Sequence, residues 1–414
     1  MKKNTALQQT ELDNGIRIVT ERMPYRRSVS IGVWVQAGII NETAANNGIS
    51  HLLEHMLFKG THNRSGEEIA KSLEMNGGTL NGSTGKEASI YTAHVLDENT
   101  ELAVDVLADL IQNPKLDEED LAREKNVVLA EINQSKEDPE EYLFDHFYQS
   151  IFPDHPLGYF IHGNESNVAA LGTVHLQQYL DLYYTPDRLV FSVAGNIDHS
   201  RFVDLISRSI VKTPRQTPKP VYPVNSKVDR YKVIELDGVL QAHICLGCRS
   251  IGITDNHRYE LTLIDMLLGG GMSSRLFQNI REKYGFAYTV YSFVEFMQST
   301  GVFGVYMACS VDHLEQSIEL LHNEFKQLAT VPVSQDELNQ IKSQARGNIL
   351  LGMESSSRRM RFNGENEFYQ NPPLEIRQIL EKINNITTDD VLQVTNELFD
   401  KRNLCIAVII PPKD

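Results

Sequence analysis

The chain repeats itself, and the repeat limits what it can fold into. A proline-dense stretch, Lys212 to Lys227 with Pro214, Pro218, Pro220 and Pro223, reads as a stiff extended linker. The halves on either side follow one plan. Each opens on strand-like runs followed by a short helix, Ser28-Val-Ser-Ile-Gly-Val-Trp-Val35 in the first and Ala242-His-Ile-Cys-Leu-Gly-Cys248 in the second. Each continues to a helix with an acidic start, Leu116-Asp-Glu-Glu-Asp-Leu121 against Val333-Ser-Gln-Asp-Glu-Leu338, and closes on helix then strand, Thr173 to Ala194 against Thr387 to Ile410. Strands and helices mix without strict alternation, which favours α+β layers over a doubly wound sheet. At 414 residues the chain exceeds one ordinary core. The expectation is two homologous domains, 1–211 and 228–414, joined by 212–227, each a mixed or antiparallel sheet packed with helices.

The halves differ where chemistry is concerned. Ile49 to Lys59 reads as a helix, with Gly60 as its C-cap. On it, His51-Leu-Leu-Glu54-His55 sets two imidazoles one turn apart with a carboxylate beside them, while Leu52, Leu53, Met56 and Leu57 form the apolar face. Two neutral imidazoles at i and i+4 can grip one zinc ion, and the neighbouring carboxylate can act as a base. The order His-x-x-Glu-His marks the inverzincin class. A second long amphipathic helix runs from Asp117 to Ser135. Its Glu124 and Glu131 share a face, and Glu131 sits among Leu129, Ala130 and Ile132. A carboxylate in such company needs a partner, either a metal or a salt-bridged arginine. When the acidic-start helices are aligned, Glu124 meets Ile341 and Glu131 meets Asn348, and the segment matching the first helix, Tyr259 to Leu268, has no histidine.

These motifs resemble the pitrilysin/insulinase metallopeptidases, specifically the short branch that includes the β subunit of mitochondrial processing peptidase and its bacterial relatives. The resemblance runs over nearly the whole chain, through Leu12-Asp-Asn-Gly-Ile-Arg-Ile18, His51 to Thr61, Arg123 to Ile132, His155-Pro-Leu-Gly158 and Arg281-Glu-Lys-Tyr-Gly-Phe-Ala-Tyr288. It implies one zinc per chain on His51, His55 and Glu131, with Glu124 orienting one of the histidines and Glu54 as general base. It implies that Arg281 and Tyr288 bind the substrate carbonyl. In this branch one chain is half of a clam-shaped chamber, so those two residues are expected to serve a partner chain in a homodimer, or in a heterodimer with a related chain. Gly77 to Thr84 and Ala88 to Val95 read as two strands joined by Gly85-Lys-Glu. The resemblance implies that the first is a sheet edge receiving an extended peptide, with Asn81, Gly82 and Ser83 bordering the scissile bond. The family commonly has alanine at position 82.

The formal charge of −16 excludes a nucleic-acid footprint. The chain contains no apolar run long enough for a membrane span, and no secretory signal follows Lys2 and Lys3, so a cytoplasmic location is expected. Cys245 and Cys248 have redox or zinc spacing but lie in a strand, where residues three apart point to opposite faces, and they read as packing. Gly269-Gly-Gly271 lacks a following Gly-Lys-Ser/Thr and is not a phosphate loop. His155, part of the resembling His155-Pro-Leu-Gly158 run, reads as a residue of a loop between two helices, and His94, His146, His162 and His243 have no partner at ligand spacing and read as packing or surface residues. The expected function is zinc-dependent endopeptidase action on extended, unfolded peptides. The alternatives are a non-catalytic peptide-binding or scaffold subunit of the same fold, and a hydrolase acting on non-peptide amides or esters.

Overall fold

The structure, a computed structural model, describes residues 6–211, 228–369 and 375–412, so the expected linker at 212–227 lies outside the described residues. The chain forms two compact units. The first comprises Met1–Asn133, Tyr159–Tyr222 and Leu351–Pro373, and the second Gln134–Gly158, Pro223–Leu350 and Leu374–Asp414.

The first unit is built on six strands: β1 (Leu7–Glu11), β2 (Arg17–Arg22), β3 (Ser28–Val35), β4 (Thr79–Thr84), β5 (Ser89–Leu96) and β6 (Leu189–Gly195), in the order β1-β2-β6-β3-β5-β4. The second has β7 (Tyr231–Glu235), β8 (Ala242–Ser250), β9 (Ala287–Phe296), β10 (Gly301–Cys309) and β11 (Cys405–Ile410), in the order β7-β11-β8-β10-β9. Read from β2 onward, the sheets have one topology. β2 pairs with β6 in parallel, as β7 does with β11, and every other pairing is antiparallel. The two sheets are therefore copies of a mixed α+β unit, and β4 and β9 occupy the same edge.

Each unit completes itself with a helix from the other half of the sequence. Ser356–Phe368 packs on β2, β3 and β6. There Trp34 lies in a small cluster with Met360 and Phe368, Ser192 Oγ donates to the Met360 carbonyl at 2.7 Å, and Arg359 pairs with Glu21. Conversely, Pro139–Ile151 packs on β8 and β11, with the Phe144 ring 4.8 Å from that of Phe293. Asp138 starts that helix by accepting from the Glu140 and Glu141 amides, with Pro139 at its first position.

The other face of the first sheet carries the main core. Leu52, Leu53, Met56 and Leu57 of the Ile49–Leu57 helix pack there with Val104 and Leu107 of the Thr100–Gln112 helix, all at 0 or 1% exposure. Each such side chain contributes roughly 1.5–3 kcal/mol on burial. Cys245 and Cys248 are buried free thiols on β8. Burial pushes the Cys248 thiol up to about 12 and removes the thiolate a metal would need. No helix among the described residues is long and apolar enough to cross a membrane.

Candidate metal centre

The Ile49–Leu57 helix starts at Gly48, whose φ of +99° is left-handed and whose own side chain cannot cap. Glu42 supplies the cap from outside. Its carboxylate accepts from the Gly48 and Ser50 amides, both at 2.9 Å, and from Asn47 Nδ2 at 2.7 Å. Burial pushes the Glu42 carboxyl up, while the hydrogen bonds from Asn47, Ser50 and Gly48 oppose the shift. A Cβ at Gly48 would stand 2.9 Å from the His162 carbonyl, so a bare backbone here allows 162–163 to lie against the helix start. The helix is two residues shorter than the sequence predicts. Phe58 closes it, and Gly60, at φ +154°, forms a bridge with Ser65 rather than the cap.

The Glu118–Glu137 helix, expected at 117–135, brings its acids to this face. Glu131 Oε2 lies 3.7 Å from His51 Nε2 and 3.5 Å from His55 Nε2. Among the described residues, that buried oxygen has no hydrogen-bond partner, and the same is true of His51 Nδ1. The Glu131 oxygen and the two Nε2 atoms thus converge, and a buried carboxylate oxygen without a hydrogen bond costs free energy that a bound cation would offset. Metal–ligand bonds of about 2.0–2.2 Å in a tetrahedral site separate neighbouring ligands by roughly 3.3–3.6 Å; the 3.5 Å separation lies in that range and the 3.7 Å separation just above it. The donor set His51, His55 and Glu131 therefore fits a zinc ion.

Electrostatics keeps His51 available as a ligand. His51 is lowered to about 3, first by burial and then by the charges of His55 and His162, so its ring is neutral at physiological pH. Glu124 Oε2 lies 3.1 Å from His55 Nδ1, and its other oxygen lies 2.7 Å from Lys59 Nζ. Glu124 therefore contacts His55 rather than His51, and a carboxylate on Nδ1 suits an imidazole whose Nε2 faces Glu131. Glu54 accepts a hydrogen bond from Thr84 Oγ1 of β4. Burial pushes the Glu54 carboxyl up, opposed by Thr84 and His55 and reinforced by Glu131.

One nearby residue carried no sequence signal. The His162 ring packs edge-on against His51 with centroids 4.7 Å apart, and ligand atoms of His51, Glu131 and His162 all lie within 4.8 Å of one another. The loop that carries it is distant from both motif helices in sequence, and contacts such as Asn47 Nδ2 to the Phe160 carbonyl and 47–48 against 162–163 bring it in. The remaining set-aside histidines are engaged in other contacts: His94 with Ser30, His155 with the Leu157 amide, His243 with Tyr306 and His146 with Lys232.

β4 is a sheet edge, and it is shorter than the predicted 77–84 run because Gly77 turns at φ +71°. Its side chains alternate. Gly82 and Thr84 face the helix with Glu54, while Asn81 and Ser83 lie on the exposed side. In the second unit, Arg281 lies in a π-helical turn, Phe277–Glu282, and Tyr288 at the start of β9. The Arg281 guanidinium covers the Tyr288 ring at 5.1 Å and the Phe277 ring at 4.6 Å, and Tyr288 is 78% exposed. The pair named from the sequence is thus brought together, with its phenol facing solvent.

A duplicated α+β fold with an inverted His-x-x-Glu-His helix and a distant glutamate defines a metallopeptidase class. Comparison with known proteins agrees. Residues 17–165 match the family described as Insulinase (Peptidase family M16), and residues 174–345 match the Peptidase M16 inactive domain. The uncharacterized zinc protease YmxG of Bacillus subtilis (strain 168) is 38% identical over 96% of this chain and 97% of its own length. An uncharacterized zinc protease of Streptomyces coelicolor is 34% identical over 99% of this chain and 90% of its own. The crystal structure of a protease from Helicobacter pylori shares the fold with a TM-score of 0.90 at 22% identity, covering 98% of this chain and 99% of that one. The chain belongs to the M16 insulinase family of peptidases.

Proposed function

We propose that this chain is a zinc-dependent endopeptidase that cleaves extended, unfolded peptides. The observation that carries the reading is the buried Glu131 oxygen, without a hydrogen-bond partner among the described residues, close to the Nε2 atoms of both His51 and His55. When bound to those three residues, zinc supplies Lewis acidity toward a peptide carbonyl and toward water. Glu54 stands beside the ligands and takes the proton of the attacking water, then delivers it to the leaving amine; its upward-shifted carboxyl suits both tasks. Glu124 holds His55, and Lys59 holds Glu124. The open edge of β4 receives the peptide by strand addition, which selects for extended backbone rather than for a side-chain motif. Asn81 and Ser83, on the exposed side of that strand, border the bound segment, and bare Gly82 lets it pass over Glu54.

Tyr288, with Arg281 stacked on its ring, stabilises the oxyanion. In this reading the pair acts on the zinc site of a partner chain, so the working form is a homodimer, or a heterodimer with a related chain. The four cysteines, all free and buried, suit a cytoplasmic location.

The test is cleavage of a quenched, unstructured peptide of roughly ten residues by zinc-loaded wild type and Glu54→Gln. Wild type is expected to cut, and Glu54→Gln to lose at least about 100-fold in rate at unchanged zinc content, the scale of a lost general base. Equal cutting by both would remove Glu54 from the mechanism. Zinc binding with no cutting of peptides, in the presence of related chains, would favour the scaffold reading, and cutting only of small amides or esters would favour the non-peptide hydrolase.

A further inference from the structure

The residue proposed as general base is held by the strand proposed to bind the peptide. Among the described residues, the hydrogen-bond donor to the Glu54 carboxylate is Thr84 Oγ1, which reaches Oε2. The other oxygen, Oε1, lies against Gly82, where a Cβ would stand 2.9 Å from it and 2.8 Å from Phe58 Cε2. Gly82 and Thr84 are two residues apart on β4 and face the same way, so one strand fixes both ends of the carboxylate, one by a hydrogen bond and one by clearance. Phe58, which closes the Ile49–Leu57 helix, forms the third wall. A glutamate has three rotatable side-chain bonds, and a base must present one lone pair to water at a fixed angle. A donor on Oε2 leaves Oε1 as the oxygen that can accept from water.

We propose that Thr84 is a positioning residue for Glu54: its hydroxyl fixes the base in the orientation that meets water on a peptide paired to β4. This inference rests on the assignment of Glu54 as the base. It links two tasks through one element, because any displacement of β4 by a misregistered peptide also moves the donor that orients the base. Selection for correctly paired extended segments then acts on kcat as well as on binding.

The experiment compares zinc-loaded wild type, Thr84→Val, Thr84→Ser, Glu54→Gln and Thr84→Val/Glu54→Gln, with zinc content and melting temperature measured for each. Valine keeps the shape of threonine and its strand preference while removing the hydroxyl. Thr84→Val is expected to lose roughly 10- to 100-fold in kcat with KM within about twofold, on the scale of a misplaced catalytic group, and Thr84→Ser to recover to within about threefold of wild type. In the double variant, Thr84→Val should cost nothing beyond Glu54→Gln, since a positioning residue acts only through the group it positions. Wild-type kcat in Thr84→Val, a loss confined to KM, failure of serine to rescue, or a full further loss in the double variant would each overturn the proposal. Crystal structures of the same proteins separate this failure from failure of the peptidase reading. One Glu54 rotamer in wild type and Thr84→Ser but not in Thr84→Val supports the positioning role whatever the substrate, and an unmoved Glu54 in Thr84→Val overturns it.

Discussion

Glu124 shows how much a residue's role depends on its neighbours. It is 5% exposed, yet one oxygen lies 3.1 Å from His55 Nδ1 and the other 2.7 Å from Lys59 Nζ, so both ends of the buried group have a partner. Replacing Glu124 by Gln, or Lys59 by Met, should weaken zinc affinity roughly 10- to 100-fold and 2- to 10-fold respectively, measured by competition with a chromogenic chelator. A second expectation concerns acid. His51 is lowered to about 3 in the folded chain against an ordinary value near 6.5, and His146 to about 4, mainly by burial and, for His146, also by Lys232. Between about pH 6.5 and those values the unfolded chain binds protons that the folded chain does not. Stability of the metal-free protein should therefore fall as pH drops from about 6.5 toward 4, and it should be level above pH 7.5 as far as these two groups are concerned. Urea midpoints at pH 7.5 and 5.5 measure this, and the difference should be smaller in His51→Gln. An equal drop in that variant would remove His51 from the effect.

At the scale of elements, periodicity located most of the pieces. β3 occupies the run Ser28–Val35 seen in the sequence, and the acidic-start helix lies within two residues of its expected ends. What periodicity lacked was the partner of each face. Trp34, the protein's single tryptophan, is 1% exposed beneath the Ser356–Phe368 helix, and Gly364 passes it so closely that a Cβ would stand 2.2 Å from its ring. Gly364→Ala should destabilise the first unit by about 1–3 kcal/mol through overpacking, with an earlier red shift of tryptophan emission on denaturation. A change below about 0.5 kcal/mol would mean the helix shifts freely. The edge strand makes a further expectation. A peptide paired on β4 uses its amides alternately, so N-methylation at every second residue should abolish cleavage in one frame and spare it in the other. Equal tolerance of both frames would count against strand addition.

At the scale of the molecule, the duplication is the organising fact. Five strands in each unit share one topology, and the metal-site residues gather in the first while its counterpart helix, Arg258–Gly269, contains no histidine. The freed copy carries Arg281 and Tyr288 instead. If these serve a partner chain, mixing Glu54→Gln with Tyr288→Phe restores activity. Half of randomly exchanged dimers are mixed, and each has one intact site, so about a quarter of wild-type activity should return. No recovery, with exchange confirmed by mass, would place Tyr288 in the chain whose zinc it serves.

The sequence by itself determined what is local. Helical spacing placed His51, Glu54 and His55 on one face, strand alternation and turn chemistry marked β4 and β5, and comparison of the halves singled out Glu124 and Glu131 as the acids without counterparts. These follow from 3.6- and 2-residue periods, which need no knowledge of the rest of the chain. The tertiary structure decided everything that depends on distant backbone meeting. It chose His55 rather than His51 as Glu124's partner, set His162 beside His51, and brought Thr84 onto Glu54. It also gave residues 134–158 to the second unit and 351–373 to the first. An amphipathic helix such as Pro139–Ile151 records in its sequence that one face must be buried, but not which of two sheets of one topology will bury it, because each presents an apolar face. That choice belongs to packing.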